Sequence, residues 1–238
     1  IWDLKNQKTL LNNRLEKSYI TSMSFNYDSS LLCSSTSTGS LIFNGITNNI
    51  YYKHDTHQKI NFLKFSPFYQ NNIAFSSEDG TVKIYDAKEN QLIHSFNYHD
   101  RPATSLAFSP INKSFLGSVG LDKKINFYDI VDKKIIRPII TDYQLTSVSF
   151  NIDGFNLAVG TTSGAILIYD LRNNSAPKDL LLGHNGKVNY VEFSKKGVKS
   201  SSVTERKNTS STVDLNKSNN NSMININSGS ISSTPVIQ

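Results

Sequence analysis

Two short landmarks recur along this chain at a nearly constant interval of 40–43 residues. One is a tripeptide that ends in Phe after an apolar residue two positions earlier, namely MSF, LKF, LAF, VSF and VEF, with Phe at positions 25, 65, 108, 150 and 193. The other is an aromatic residue followed by Asp or Asn, at Trp2-Asp3, Phe43-Asn44, Tyr85-Asp86, Tyr128-Asp129 and Tyr169-Asp170. Two independent landmarks with one period indicate a repeated structural unit.

Each unit has the pattern of four short strands joined by tight turns. A small polar residue stands seven positions before the last four of the five closing Asp or Asn residues, at Ser37, Asp79, Asp122 and Ser163. Such side chains bond their own backbone in turns. In the third unit, apolar alternation predicts strands over 102–109, 115–120 and 123–129, with a fourth near 134–140. Four strands per repeat of about 42 residues predict an all-β fold, a WD-repeat β-propeller that is incomplete, with about four full blades and a partial blade at each end.

The composition changes sharply after the last repeat. Residues 195–238 contain no aromatic residue and are dominated by Ser and Asn. Such a segment buries too little apolar surface to offset chain entropy. The expected organisation is therefore a propeller fragment over 1–194 and a disordered Ser/Asn-rich tail over 195–238. Since the repeats stop within a blade, we also expect the missing partner strands to come from a stretch that precedes Ile1.

Charge and cysteine usage limit the class of partner. The formal net charge is +6, but residues 194–238 hold six Lys/Arg and two Asp/Glu, so the repeat region is nearly neutral. This balance gives no indication of nucleic-acid binding. No apolar run reaches the length of a membrane span. The single Cys33 excludes an internal disulfide and is typical of a reducing interior.

Several longer phrases resemble the GCP-WD family of WD-repeat proteins. They are IWDLKNQKTLL, SPINKSFLGSVGLDKKINFYD, AVGTTSGAILIYDLR and GHNGKVNYVEF, and the most specific is RPATSLAFSP leading into GLDKKINFYD. The similarity holds in register over residues 1–193. It implies that the chain begins at the end of the family's third repeat and runs to its last one.

The resemblance to GCP-WD proteins also implies a function. Members of that family recruit the γ-tubulin ring complex to centrosomes, spindle poles and spindle microtubules. The implied partners are components of that complex and spindle or centrosomal factors, and the implied location is the cytoplasm and cytoskeleton. In the family the propeller directs the protein to the spindle, while a more distal C-terminal region holds the γ-tubulin complex.

Sequence motifs for catalysis are missing. The chain has no Gly-x-Ser-x-Gly, no phosphate-binding Gly loop and no His-Glu-x-x-His, so we expect neither an enzyme nor a bound cofactor or metal. His54 and His57 have ligand-like spacing but no plausible third ligand nearby. The recurring carboxylates are interpreted as turn and strand-end residues: Asp79, Asp86, Asp122, Asp129 and Asp170.

Two histidines stand nine residues before a landmark Phe, as in the Gly-His of many WD repeats. They are His99 and His184. WD repeats often link this His to the turn Asp and the strand aromatic, and here His99, Asp122 and Tyr128 are the expected group. Ser66-Pro67 and Ser109-Pro110 fit either turns or phosphorylation sites, with the turn favoured.

A final feature suggests a partner-binding surface. The loops that enter the first strand of a repeat carry cations six to eight residues before the landmark Phe: Lys17, Lys59, Arg101 and Lys187. In a propeller these loops converge around the central channel, so the cations form an arc that suits an acidic segment. The alternative is that exposed loop ends are simply polar.

Two other functions are consistent with the repeat pattern. The first is a generic WD-repeat adaptor, such as a substrate receptor of a ubiquitin ligase or a ribosome-assembly factor. The second is a propeller enzyme, which would need acid–base groups near the channel. The inner-strand sequences supply mainly Ser, Lys64 and Glu192 there, which disfavours the enzyme.

Overall fold

All regular elements described here are β-strands. The computed structural model describes residues 1–10, 18–46, 51–173, 176–194 and 224–226. Lys17 of the predicted arc lies outside these ranges, as does most of the predicted tail. Three residues of that tail, Ile224–Ile226, form a strand.

Four antiparallel sheets of four strands follow one another along the chain. A two-stranded hairpin comes first, β1 (Trp2–Asp3) and β2 (Lys8–Thr9). Blade 1 contains β3 (Ile20–Phe25), β4 (Leu31–Thr36), β5 (Ser40–Gly45) and β6 (Tyr51–Asp55). Blade 2 contains β7 (Ile60–Phe65), β8 (Asn72–Ser77), β9 (Val82–Asp86) and β10 (Gln91–Phe96).

The second half repeats this plan. Blade 3 contains β11 (Ala103–Phe108), β12 (Phe115–Gly120), β13 (Lys124–Asp129) and β14 (Lys134–Ile140). Blade 4 contains β15 (Leu145–Phe150), β16 (Asn156–Thr161), β17 (Ala165–Asp170) and β18 (Asp179–Leu182). The last pair is β19 (Val191–Phe193) with β20 (Ile224–Ile226).

The first strands of successive blades contact each other in chain order: β3 with β7, β7 with β11, β11 with β15 and β15 with β19. We call these five the inner strands. Their sequence of neighbours is that of blades arranged around a central channel, and the WD-repeat all-β prediction is confirmed. The four strands predicted in blade 3 match the observed ones to within a residue or two.

The hydrophobic core lies between consecutive blades. Phe127 of β13 packs in one cluster with residues of blade 4, such as Leu157. Tyr128, the next residue, faces the other way into a cluster shared with blade 2. Side chains alternate across a strand, so a strand covered on both faces is apolar at nearly every position. β13 is accordingly buried at four successive residues, whereas the outer strand β14 is mostly exposed.

A β-bulge recurs at the same place in the inner strand of each complete blade. The pairing register skips one residue, which is Thr21, Asn61, Thr104 or Thr146. A bulge leaves its extra residue outside the ladder and free to turn elsewhere. Three of these side chains donate a hydrogen bond to a backbone carbonyl of the next inner strand or its entry: Asn61 to Ala103 (3.0 Å), Thr104 to Leu145 (2.9 Å) and Thr146 to Val188 (2.5 Å). We call these three bonds the interblade clasps.

Tight turns between the second and third strands fix the loops that enter the next inner strand. Gly39, Gly80 and Gly164 have φ of 87°, 84° and 94°, a left-handed conformation that Lys123 adopts in blade 3 with φ of 66°. A Cβ atom on Gly80 would lie 2.5 Å from the carbonyl oxygen of His99. Glycine is therefore required at this turn by both its φ and the close approach of the following loop.

We expect Gly80→Ala to lower the free energy of unfolding by about 1–3 kcal/mol, since strain and a backbone clash add together. The measurement is the urea midpoint followed by Trp2 and tyrosine fluorescence. Gly186→Ala is the matched control, because a Cβ there meets nothing within 4 Å. An equal loss in the two variants would contradict this explanation of the turn.

Candidate partner-binding face

The loops that enter the inner strands surround one mouth of the central channel. We call this side the loop face and define it by residues 56–59, 97–102, 141–144 and 183–190. A cavity of about 550 Å³ opens there. Its wall includes the bulge residues and the loop ends, and most of its side chains are hydroxyl or amide groups rather than charges.

Two of the predicted cations line this cavity, Lys59 and Lys187. Arg101 is exposed and precedes Pro102, which also lines it. Blade 4 breaks the arc, because its loop has Asp142, Tyr143 and Gln144 at the corresponding positions.

The cations of the loop face are partly compensated by carboxylates. Lys59 Nζ lies 3.4 Å from Glu78 Oε2, with both side chains about half exposed. Lys124 pairs with Asp100 on the same side of blade 3. Sequence reasoning missed Glu78, whose position beside the Asp79 turn was the available signal. The loop face is therefore a polar surface on which cations and carboxylates alternate around the cavity.

A hydrogen-bonded network holds the loop that carries Arg101. His99 Nδ1 lies 2.9 Å from Asp122 Oδ1, and its Nε2 lies 2.7 Å from Ser118 Oγ. Ser118 Oγ is 3.0 Å from the Tyr128 hydroxyl. A carboxylate can only accept, so Nδ1–H of His99 donates to Asp122.

Burial and hydrogen bonding act in opposite directions on this network. Burial is the largest influence and alone would raise the pKa of Asp122, but the interaction with His99 and the backbone N–H groups of Asp100 and Lys124 together outweigh it and hold that pKa below its usual value. Burial raises the pKa of Tyr128 to about 12, although its hydrogen bond with Ser118 acts the other way. Ser118 was missed in the sequence, where its only signal is a Ser four positions before Asp122.

The closing Asp residues of the repeats organise the turn that follows them. In three of them the side-chain Oδ1 accepts the backbone N–H groups two and three residues later: Asp3, Asp86 and Asp129. The Asp170 carboxylate accepts a hydrogen bond from the backbone N–H of Arg172 and a bidentate pair of hydrogen bonds from the Arg172 guanidinium. These bonds lower the pKa of Asp170 to about 2. These contacts are structural and place no pair of carboxylates for acid–base chemistry.

The remaining candidates from the sequence have local roles. Asp79 Oδ1 accepts the N–H and hydroxyl of Thr81 within its turn. Trp2 lies on β1 and is half exposed. His184 has a buried Nε2 without a hydrogen-bond partner among the described residues. Within the part of the chain that the structure describes, no group of three His, Cys, Asp or Glu could hold a metal ion.

The two Ser-Pro pairs are turn structures. Ser66 and Ser109 are both about 1% exposed. Each hydroxyl accepts the backbone N–H groups two and three residues later, Phe68 and Tyr69 for the first and Ile111 and Asn112 for the second. A buried hydroxyl used in this way is closed to a kinase, which favours the turn interpretation.

The opposite mouth of the channel has a different chemistry. A cavity of about 390 Å³ there is lined by Phe65, Phe108, Phe150 and Phe193 together with Pro67 and Pro110. Four of the five landmark Phe residues thus line this mouth, the exception being Phe25. The two ends of the channel are therefore one polar and one aromatic.

Comparison with known proteins fixes the family. A family model described as Nucleolar protein 10-like, N-terminal domain, matches residues 32–237. The chain belongs to this family. The match extends over all four blades except the start of the first one.

Curated relatives lie within the GCP-WD proteins, which confirms the resemblance seen in the sequence. Protein NEDD1 of Homo sapiens is 28% identical over 242 residues, covering 100% of this chain and 36% of the relative. Protein NEDD1 of Bos taurus is 31% identical over 197 residues, covering 81% of this chain and 30% of the relative. The E3 ubiquitin-protein ligase COP1 of Arabidopsis thaliana is 30% identical over 58% of the chain and 21% of its own length.

The chain spans about a third of the length of the NEDD1 relatives it matches. Among the residues described, none belongs to a helix with the length and apolar character to span a membrane.

Proposed function

We propose that this chain is a non-enzymatic WD-repeat scaffold that binds protein partners through its propeller. The observation that carries the proposal is its similarity to NEDD1 along its whole length. The more specific role proposed is to target the γ-tubulin ring complex to spindle poles and microtubules for nucleation. The proposed location is accordingly the cytoplasm, with concentration at the centrosome and spindle.

We assign partner binding to the loop face. Its arrangement supports this assignment, because it combines an open cavity of about 550 Å³ with exposed Lys and Arg side chains on rigid loop ends. Loops held by a β scaffold are common positions for recognition residues. The network around His99 fixes the loop of Arg101, and the Gly80 turn fixes its backbone from the other side.

The test is quantitative imaging of the tagged 238-residue chain beside γ-tubulin in dividing cells. We expect enrichment at spindle poles, and we expect Lys59→Glu with Arg101→Glu to reduce that enrichment several-fold because it reverses the charge of the loop face. These are exposed substitutions, so the free energy of unfolding should change by only about 0.5 kcal/mol.

Lys88→Glu with Lys113→Glu is the matched control, since both lysines are exposed and lie on turns at the end of blades 2 and 3 away from the loop face. It should leave localisation unchanged. A uniform distribution of the unsubstituted chain through the cell would contradict the spindle role. Equal enrichment of the two double variants at spindle poles would show that the loop face does not contribute to spindle localisation.

A generic adaptor is the second candidate function. It is favoured by the nucleolar description of the family model and by the similarity to a ubiquitin ligase over more than half of the chain. Co-purification from the same cells separates the candidates, since recovery of ribosome-assembly or ubiquitin-ligase components without spindle factors would support the adaptor.

A further inference from the structure

Two oppositely charged side chains meet at the rim of the loop-face cavity. Lys59 Nζ and Glu78 Oε2 are 3.4 Å apart, and the exposed fractions of these side chains are 41% and 47%. The backbone N–H of Glu78 also donates to the carbonyl of Lys59, so the two residues keep a fixed relation. An ion pair this exposed is weak and easily exchanged for another one.

The other cations at the rim have no such partner. Among the described residues, neither Lys187 nor Arg101 forms an ion pair. Lys187 lines the same cavity as Lys59 and Glu78. The cavity therefore presents one free ammonium group and a second one that is occupied by an internal carboxylate.

The neutral groups of the wall are largely committed to the fold. Asn61, Thr104 and Thr146 line the cavity and donate to carbonyls in the interblade clasps. Their donors are thus already used within the propeller. The lysines at the rim are the charged donors of this wall, and a carboxylate is the acceptor that an ammonium group favours.

We propose that the cavity receives an acidic side chain from an extended segment of a protein partner, and that Glu78 competes internally for Lys59. The proposal rests on the proposed function of the loop face as a partner-binding surface. In the free protein Glu78 forms an ion pair with Lys59. In the complex the carboxylate of the partner pairs with Lys59, Lys187 on the same cavity adds its positive charge, and Glu78 turns to solvent.

The charge pattern selects a peptide over a nucleic acid. Nucleic-acid binding needs several cations that follow a row of phosphates. Here carboxylates at Glu78, Asp100 and Asp142 interrupt the cations, and they would repel a continuous row of negative charge. An isolated acidic side chain avoids that repulsion.

The test is fluorescence anisotropy of the 238-residue chain with a labelled hexapeptide of alternating Ser and Glu. The matched ligand is the hexapeptide of alternating Ser and Gln. We expect the acidic peptide to bind more tightly than its amide analogue, and Lys187→Gln to weaken its binding about fivefold. Glu78→Gln should tighten binding about threefold, because it removes the competing carboxylate and its negative charge.

Two exposed residues on the β9–β10 turn, at the end of blade 2 away from the loop face, give the controls, Lys88→Gln and Glu89→Gln, which should leave the dissociation constant unchanged. Weaker or unchanged binding by Glu78→Gln would overturn the competition, and equal binding of the two peptides would overturn the acidic ligand. Tighter binding of single-stranded RNA, lost in Lys187→Gln, would assign the cavity to nucleic acid instead. The assay contains no spindle component, so its failure is distinct from a failure of spindle localisation.

Discussion

Asp122→Ala is expected to lower the free energy of unfolding by about 3 kcal/mol. The side chain of Asp122 is 3% exposed and that of His99 is fully buried. Removal of the carboxylate leaves the Nδ1–H of His99 buried without an acceptor, and the Asp100 backbone N–H loses its bond to Asp122 as well. Leaving buried donors unsatisfied costs about 1–3 kcal/mol each, and breaking a buried pair reaches about 3–5 kcal/mol.

The same network predicts an acid dependence of stability. The pKa of Asp122 is lowered in the folded protein, so this carboxylate contributes stability above its unfolded pKa of about 3.9. That contribution is lost as the pH falls below about 4 and through the folded pKa. Asp122→Asn should therefore destabilise the protein at pH 6 and make its urea midpoint less sensitive to pH between 6 and 3.

Asp100→Asn is the control for both measurements, because Asp100 is in the same loop with a side chain that is 78% exposed. It should change the urea midpoint little at either pH. A variant of Asp122 as stable as the unsubstituted protein would show that the loop is held by its backbone bonds alone.

Phe127→Ala is expected to lower the free energy of unfolding by about 3–5 kcal/mol, the range for removing a large ring from a packed core. Phe127 is buried between blades 3 and 4, stacks on Phe115 at 5.3 Å and fills the space over Gly117. Gly117 has no side chain to close the cavity that the substitution would leave. Calorimetric and urea unfolding measure the loss.

Phe155→Ala gives the comparison, since that ring is 41% exposed, and we expect a loss below about 1 kcal/mol. Similar losses for the two variants would mean that the interface of blades 3 and 4 collapses around the missing ring.

The strand pattern was predictable because each strand has a period-2 signal and each turn a polar or glycine marker. In blade 3 Ile125 and Phe127 pack in one core and Tyr128 packs in the other, and the sequence alone located their strand. The bulges were not predicted, although Thr21, Asn61, Thr104 and Thr146 stand at one register. A polar residue within an inner strand is compatible with continuous strand pairing as well as with a bulge. Composition therefore does not distinguish a bulged strand from a regular one.

Less of the candidate site than of the fold could be predicted from the sequence. The loop cations were found because they keep the repeat period, but their electrostatic state depends on neighbours from other turns. Glu78 reaches Lys59 from 19 residues away, and Ser118 reaches His99 from the same distance. Such contacts follow from how a blade folds back on its entry loop, and no local pattern encodes them.

The interblade clasps connect blades 2, 3 and 4 each with the unit that follows it along the chain. Stability in such an arrangement resembles that of a linear array, in which each unit depends on its nearest neighbours. Opening should then spread from one blade to the next rather than engage the whole ring at once. Amide hydrogens of β12 and β13, with clasped blades on both sides, should exchange most slowly, and the rate should rise step by step towards blade 1, whose bulge residue Thr21 bonds Ser35 of its own sheet instead.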